Sequence, residues 1–133
     1  MGKLIKLNIV APGREVLTEE IVSLATTEGD GKIEFLANYA PTIIATIPTI
    51  TTYTTIDGNK KKLFTSSGIV YIKDNIINFC CDSFNLPEEI DRDRAEQSLK
   101  RAQDRLNNKE KNNIDIERAK RAEARAKARL ELK

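Results

Sequence analysis

The sequence predicts a β-sandwich or barrel followed by a pair of helices. Charged residues number 17 among residues 1–87 but 25 among residues 88–133, so the composition changes sharply near Leu86-Pro87. The first part contains short, alternating apolar segments separated by turn residues, which is typical of an all-β domain. The second part carries an internal repeat with helical periodicity. We therefore predict two domains, residues 1–87 and residues 88–133.

The strands follow one another at short intervals. The first is predicted at 4–10, where apolar residues alternate with a period of two before Ala11-Pro12-Gly13. Two hairpins are predicted, one at Asp57-Gly58 and one at Lys73-Asp74-Asn75, because these residues favour tight turns between strands. The remaining strands are predicted at 16–17, 21–25, 32–36, 50–56, 62–65, 69–72 and 76–81.

Composition excludes most catalytic and metal-binding classes. The chain contains no histidine, so it offers neither a Ser-His-Asp triad nor a histidine-ligated zinc. Cys80 and Cys81 are adjacent, which disfavours an ordinary disulfide, and a zinc site would need at least two further ligands. The run Gly29-Asp30-Gly31-Lys32 lacks the spacing of a phosphate loop. We predict reduced cysteines, no catalytic residue, no metal site and no enzymatic activity of the chain's own.

Hydropathy predicts an intracellular, soluble protein without direct membrane insertion. No apolar run exceeds four residues, whereas a transmembrane helix needs roughly 18 or more. Met1-Gly2-Lys3 leads directly into the first predicted strand, without the apolar stretch of a secretory signal.

The internal repeat predicts a helical hairpin. Residues 90–106 and 114–130, offset by 24 positions, share 8 of 17 residues. In each copy an aspartate, Asp91 or Asp115, stands where an N-cap would begin a helix. The polar stretch 107–113 separates the copies, so we predict two antiparallel helices joined by a loop.

An apolar stripe runs along each predicted helix. Its members recur at helical spacing, which places them on one face. Because alanine buries little area, we predict a weak contact between the helices, at about 25 cal/mol per Å² of apolar surface. The stripes consist of Ala95, Leu99, Ala102 and Leu106 and of Ala119, Ala122, Ala126 and Leu130.

A row of arginines lies beside each stripe, and the pattern alone leaves its role open. Guanidinium groups suit phosphate or carboxylate ligands. The same arginines have acidic neighbours at helical spacing, with which they can form ordinary surface ion pairs. The rows consist of Arg94, Arg101 and Arg105 and of Arg118, Arg125 and Arg129.

The order of these features resembles a known family. The resemblance rests on Gly31-Lys32-Ile33-Glu34-Phe35-Leu36-Ala37-Asn38-Tyr39-Ala40-Pro41, on Ser67-Gly68-Ile69-Val70, and on two helices that open with Ile-Asp-x-x-Arg-Ala. Over essentially its whole length the chain is similar to the epsilon subunit of bacterial F-type ATP synthases. The resemblance implies a flattened sandwich of about ten strands followed by the helical hairpin.

The resemblance also implies a non-catalytic subunit of the central stalk. In that family the sandwich binds the gamma subunit and rests on the ring of c subunits, at the cytoplasmic face of the cell membrane. The folded helices permit rotation. Extended along gamma, they inhibit ATP hydrolysis as their basic residues meet acidic segments of the beta subunits, next to alpha. Here the inhibitory contacts would come from Arg121, Arg125 and Arg129.

Some bacterial members of the family bind ATP as a regulatory ligand that favours the folded hairpin; no cofactor is required. Their signature is Ile/Leu-Asp-x-x-Arg-Ala in the first helix, with arginines in both helices. Asn85 stands near a position where ATP-binding relatives tend to carry an acidic residue, a departure that bears on affinity. The resemblance implies a nucleotide site built from Ile90, Asp91, Arg94, Ala95, Arg101, Arg125 and Arg129.

Two functions of other classes compete with this interpretation. An RNA-binding module using the basic hairpin is disfavoured, because residues 88–133 combine 14 basic with 11 acidic residues and contain no aromatic residue to stack on bases. A β-sandwich enzyme is disfavoured because no catalytic constellation is present. We therefore predict no nucleic-acid partner.

Overall fold

A computed structural model of the chain describes residues 4–106 and 113–132 and places nine strands before two helices. The predicted fold class is confirmed, with nine strands in the described residues where the resemblance implies about ten. The strands are β1 (Ile5–Val10), β2 (Leu17–Glu28), β3 (Gly31–Leu36), β4 (Thr42–Thr46), β5 (Thr49–Thr55), β6 (Lys60–Thr65), β7 (Gly68–Lys73), β8 (Ile76–Cys81) and β9 (Phe84–Asn85). A short 3₁₀ turn, Pro87–Glu89, precedes the helices α1 (Arg92–Leu106) and α2 (Asn113–Leu132).

The long strand β2 belongs to both layers of the sandwich. Its first half pairs with β1, and its second half lies between β3 and β5. A register shift between Ile21 and Ser23 bends the strand where it passes from one layer to the other. One layer is completed by β8, β7 and β4, and the other by β6 and β9. The pairing of β1 with β8 is parallel, and the other described pairings are antiparallel.

Both predicted hairpins are confirmed. β5 and β6 are joined across a turn in which Gly58 has φ of 84°, a conformation that glycine adopts without strain. β7 and β8 are joined by Asp74 and Asn75, with φ of 53° and 61°. Positive φ at both central residues is the geometry of a two-residue turn that matches the twist of the strands.

The structure departs from the predicted strands in three places, one of which is the short strand β9, which was not expected. Separate strands were expected at 16–17 and 21–25, but the polar residues Thr18-Glu19-Glu20 continue β2, since each pairs with a residue of β1. The strand β4 was not expected, because its apolar core is only Ile43-Ile44-Ala45 and prolines lie close to both ends.

The core lies between the two layers. The inward residues of β1 and the facing strands are almost fully buried, as the alternating burial along β1 requires. Three buried threonines, Thr26, Thr51 and Thr65, form a hydroxyl chain across β2, β5 and β6, with oxygen–oxygen distances of 2.9 and 2.7 Å. These hydrogen bonds satisfy hydroxyls that would otherwise be costly to bury. The largest core side chains include Ile5, Leu7, Ile9, Leu24, Phe35, Leu63, Ile72, Ile77, Phe79 and Phe84.

The two helices pack against each other through small side chains. Ala95 and Ala102 of α1 and Ala119 and Ala126 of α2 are buried, as the predicted stripes require. Arg129, near the end of α2, lies across a cleft from the start of α1, so the helices are antiparallel. The predicted loop at 107–113 falls largely outside the described residues.

The predicted caps differ between the helices. Asp91 precedes α1, and its Oδ1 accepts a hydrogen bond of 3.1 Å from the backbone amide of Arg94, which confirms the N-cap. The helix start predicted at Asp115 is wrong, because α2 already begins at Asn113; the Asp115 side chain itself lies outside the described residues.

Helix α2 also covers the outer face of the second layer. Phe64 projects from β6 on the opposite face from Leu63 and Thr65, yet it is fully buried. The guanidinium carbon of Arg129 lies 4.4 Å from the centre of its ring. The hairpin is therefore docked on the sandwich in this conformation.

A chain truncated after residue 87 should still fold cooperatively, because the side chains of the sandwich core all precede it. It should be less stable than the full chain, since Phe64 loses its cover and burial of such a side chain contributes about 1.5 to 3 kcal/mol. Chemical denaturation and amide NMR measure both effects. A molten spectrum would show that the helices belong to the core and that the boundary predicted at residue 87 is wrong.

Candidate functional site

A cleft of about 320 Å³ lies where the start of α1, the end of α2 and β9 meet. This volume is at the lower end of the range for small-molecule sites. The cleft is more polar than apolar in its lining, and it brings together five of the seven residues predicted to bind nucleotide. Its walls are formed by Asn85, Glu89, Ile90, Asp91, Arg94, Ala95, Ser98 and Arg129.

One helix start supplies most of this site. Asp91 caps α1, and the first turns of the helix place Arg94 and Ala95 on the side facing the cleft. Ile90 and Ala95 are 7% and 5% exposed and form the apolar edge. The Ile-Asp-x-x-Arg-Ala segment therefore combines a cap, a cation and an apolar surface within six residues.

Arg129 enters the cleft from the opposite helix. Its Nε donates a hydrogen bond of 3.1 Å to Oδ1 of Asn85, while its guanidinium stacks on Phe64. Burial lowers the pKa of Arg129, and the positive charges of Arg125 and Arg94 lower it further. The charges of Arg94 and Arg125 thus repel that of Arg129, and a bound anion would offset this repulsion.

Within the described part of the chain, the acidic neighbours of the arginine rows do not form ion pairs with them. In the described part of the helices, ion pairs join Arg92 to Glu96 at 3.1 Å and Lys127 to Glu123 at 3.5 Å. None of the described ion pairs includes an arginine of either row. This observation favours anion binding over the competing interpretation of ordinary helix-surface ion pairs.

Three predicted functional residues lie away from the cleft walls. Arg101 is exposed on α1, and its Nη2 lies 3.4 Å from Oγ of Ser98. Arg125 is half-buried on α2 and acts on Arg129 through its charge. Arg121, predicted to make inhibitory contacts, is exposed on α2.

Three wall residues of the cleft were not among the predicted ligands: Ser98, Glu89 and Asn85, the last of which was named only as a departure from ATP-binding relatives. Ser98 follows Asp91 and Arg94 at helical spacing, so the sequence carried a signal for it. Glu89 directly precedes the recognised segment, but its position depends on a distant contact: its carboxylate pairs with Arg14 at 2.8 Å. No sequence pattern connects two residues so far apart.

The described residues offer neither a metal centre nor a spanning helix. Among residues 4–106 and 113–132, no three potential metal-ligating side chains come together. Within the same ranges, neither helix has the length and apolarity needed to cross a membrane. Cys80 is exposed and Cys81 is buried on β8, and both are unpaired.

Comparisons with known proteins bear on both parts of the chain. Residues 4–87 match the family described as "ATP synthase, Delta/Epsilon chain, beta-sandwich domain". Residues 88–133 match "ATP synthase, Delta/Epsilon chain, long alpha-helix domain". The match therefore extends over nearly the entire chain.

Similar proteins share much of the sequence. The ATP synthase epsilon chain of Clostridium novyi (strain NT) is 41% identical over 134 residues, which cover 99% of each chain. The ATP synthase epsilon chain of Clostridium botulinum (strain Hall) is 41% identical over 105 residues, or 79% of each chain.

Solved structures show the same fold at lower identity. A chain of the Euglena gracilis mitochondrial ATP synthase (OSCP/F1/c-ring) aligns with a TM-score of 0.81 at 18% identity, covering 96% of this chain and 79% of its own. A chain of the Tetrahymena thermophila mitochondrial ATP synthase (central stalk/c-ring) aligns with a TM-score of 0.60 at 10% identity, covering 98% and 96%. Together with the two family matches and the full-length relative, the sandwich and its helical hairpin show that this chain belongs to the ATP synthase delta/epsilon family, as an epsilon chain.

Proposed function

We propose that the chain is a non-catalytic central-stalk subunit of a rotary F-type ATP synthase that regulates ATP hydrolysis and binds ATP as a regulatory ligand. The sandwich contacts the gamma subunit and the c-subunit ring, and the helices reach the beta and alpha subunits when they extend. The chain acts as a peripheral protein at the cytoplasmic face of the cell membrane. The RNA-binding alternative has no support, because the chain belongs to a family of ATP synthase subunits.

The observation that carries the regulatory proposal is the arginine-lined cleft. Arg94 and Arg129 face it from different helices, and Arg125 adds its charge nearby. A polyphosphate bound between them would join α1 to α2 and to β9. The ligand would therefore favour the docked hairpin by its difference in affinity for the docked and extended forms.

An exposed apolar face supports docking of the sandwich on a protein partner. Ile43 of β4 pairs with Tyr71 of β7, and Ile69 pairs with Cys80 of β8. Ile43, Ile69 and Tyr71 are 66%, 48% and 37% exposed, on strands whose opposite face fills the core. Contiguous apolar surface of this kind marks interaction sites, and we assign this face to gamma.

ATP titration of the isolated full chain, followed by amide NMR, tests the ligand. We expect saturable shifts at Asp91, Arg94 and Arg129, three of the residues on the cleft walls. The amides of Thr42–Thr46, on the far layer, provide the internal control and should not shift. Absence of shifts at millimolar ATP would overturn the nucleotide site while leaving family membership intact.

Replacing Arg121, Arg125 and Arg129 together by alanine should relieve inhibition of ATP hydrolysis in the reconstituted enzyme. Extended helices would meet acidic beta-subunit segments, and such attraction is screened within about 8 Å at physiological salt. Inhibition by the unaltered chain should accordingly weaken as ionic strength rises, as hydrolysis assays measure.

The matched control for this triple variant is replacement of Lys60, Lys61 and Lys62 by alanine. It removes the same number of positive charges from exposed positions of β6, outside the helical hairpin. This control should inhibit like the unaltered chain. Equal inhibition by both triple variants at every salt concentration would contradict the electrostatic account.

A further inference from the structure

Arg14 connects the first turn of the sandwich to the cleft without lining it. It follows β1, and its guanidinium carbon lies 4.1 Å from the centre of the Phe84 ring. Its Nη1 donates to the backbone oxygen of Phe84. Its Nη2 lies 3.0 and 2.8 Å from the two carboxylate oxygens of Glu89. Arg14 thus holds both ends of the segment 84–89.

Glu89 is the carboxylate that this arrangement controls. It lines the cleft, and its Oε1 also accepts a hydrogen bond of 2.8 Å from the amide of Leu86. The Leu86 amide, and after it Arg14, hold the pKa of Glu89 below its usual value, although burial opposes them. Glu89 is therefore ionised near neutral pH, and its charge faces a site proposed to accept a polyanion.

The charged side chains on the cleft walls sum to zero, and Arg14 adds one positive charge from outside the walls. Two carboxylates, Glu89 and Asp91, face two guanidinium groups, Arg94 and Arg129. Asp91 accepts the amide of Arg94, whereas Glu89 is paired with a cation from outside the walls. Arg14 supplies the additional positive charge, and like charges at short range would otherwise oppose binding.

We propose that Arg14 is a positioning residue of the nucleotide site, which holds Glu89 against β9 and offsets its repulsion of the ligand's phosphates. The inference rests on the proposed function, because it concerns the same cleft. It assigns a role in ligand affinity to a residue that does not itself line the cleft and acts through Glu89, which does.

The test compares ATP affinity by calorimetry in the full chain and in Arg14→Gln, Arg14→Lys, Glu89→Gln and the double variant Arg14→Gln/Glu89→Gln. Arg14→Gln should weaken binding about 3- to 10-fold, because Glu89 then faces the phosphates unpaired. The double variant should return to within about 2-fold of the unaltered chain. Arg14→Lys keeps the charge and should lose less than about 3-fold.

The outcomes separate a charge effect from a structural one. Glutamine at position 89 can still accept the Leu86 amide, so Glu89→Gln alone should bind ATP at least as tightly as the unaltered chain. A double variant as weak as Arg14→Gln, or equal losses for Arg14→Lys and Arg14→Gln, would overturn the proposal and leave Arg14 as a structural contact of Phe84. Failure of the unaltered chain to bind ATP would instead overturn the nucleotide site, and this inference with it.

Discussion

Replacing Arg94 by alanine should weaken ATP binding by about 10- to 150-fold. Loss of a hydrogen bond to a charged group costs about 1.5 to 3 kcal/mol, which corresponds to this range of dissociation constants. Arg94 is exposed, and its side chain makes no hydrogen bond or ion pair within the described residues. The variant should therefore lose affinity without losing stability, as calorimetry and thermal denaturation together measure.

Arg105→Ala is the matched control, because Arg105 belongs to the same arginine row and is exposed on the same helix but does not line the cleft. It should bind ATP like the unaltered chain. Arg129→Ala should lose ATP affinity and also loosen α2, since it removes the contacts with Phe64 and Asn85. Equal affinities for Arg94→Ala and Arg105→Ala would remove the basis for the site.

Two predicted ligands require separate variants. Arg101 and Arg125 do not line the cleft in this conformation, although the charge of Arg125 acts on Arg129. Losses of similar size in Arg101→Ala and Arg125→Ala would mean that both side chains move toward the nucleotide when it binds. Unchanged affinity in one of these variants would exclude the replaced arginine from the site, and unchanged affinity in both would restrict the site to the residues on the cleft walls.

Replacing Gly68 by alanine should destabilise the sandwich by about 3 kcal/mol. An added Cβ would lie 2.2 Å from the backbone oxygen of Cys80 and 2.7 Å from Cα of Cys81. These atoms belong to the paired strand β8 in a closed sheet, so the clash cannot be relieved by a side-chain rotation. Overpacking of a well-packed interior typically costs about 1 to 3 kcal/mol, and a backbone clash lies at the upper end.

Gly29→Ala is the control for this substitution. Gly29 lies in the turn between β2 and β3, and a Cβ built there meets no atom within 4 Å. Urea denaturation should show a large fall in the midpoint for Gly68→Ala and almost none for Gly29→Ala. Similar midpoints for the two variants would contradict the close approach of β7 to β8.

The fold was predictable where local chemistry decides it. Asp57-Gly58 and Lys73-Asp74-Asn75 specify their hairpins because turns of positive φ need such residues. The continuity of β2 was not predictable, because the polar segment Thr18-Glu19-Glu20 indicates a loop between two strands. It forms part of a strand only by pairing with β1. Likewise β4, between two prolines, depends on its partner β7 rather than on its own sequence.

The candidate site likewise contains residues that the local sequence predicts and residues that only tertiary contacts bring together. Asp91, Arg94 and Ala95 follow from the spacing of one helix start and from the family resemblance. Arg129 reaches them only because α2 docks on Phe64, which is a tertiary contact. The role inferred for Arg14 has no counterpart in the sequence pattern, because its partner Glu89 lies 75 positions away.

Because α2 covers Phe64, the equilibrium between docked and extended helices differs between the free chain and the assembled enzyme. In the free chain, departure of the hairpin would place an aromatic ring in water beside the exposed lysines of β6, with nothing to replace the lost contact. Within the rotary enzyme, neighbouring subunits can bind the released helices, and such binding shifts the equilibrium by mass action. On the proposed function, the isolated chain therefore resists extension more strongly than the same chain in its complex.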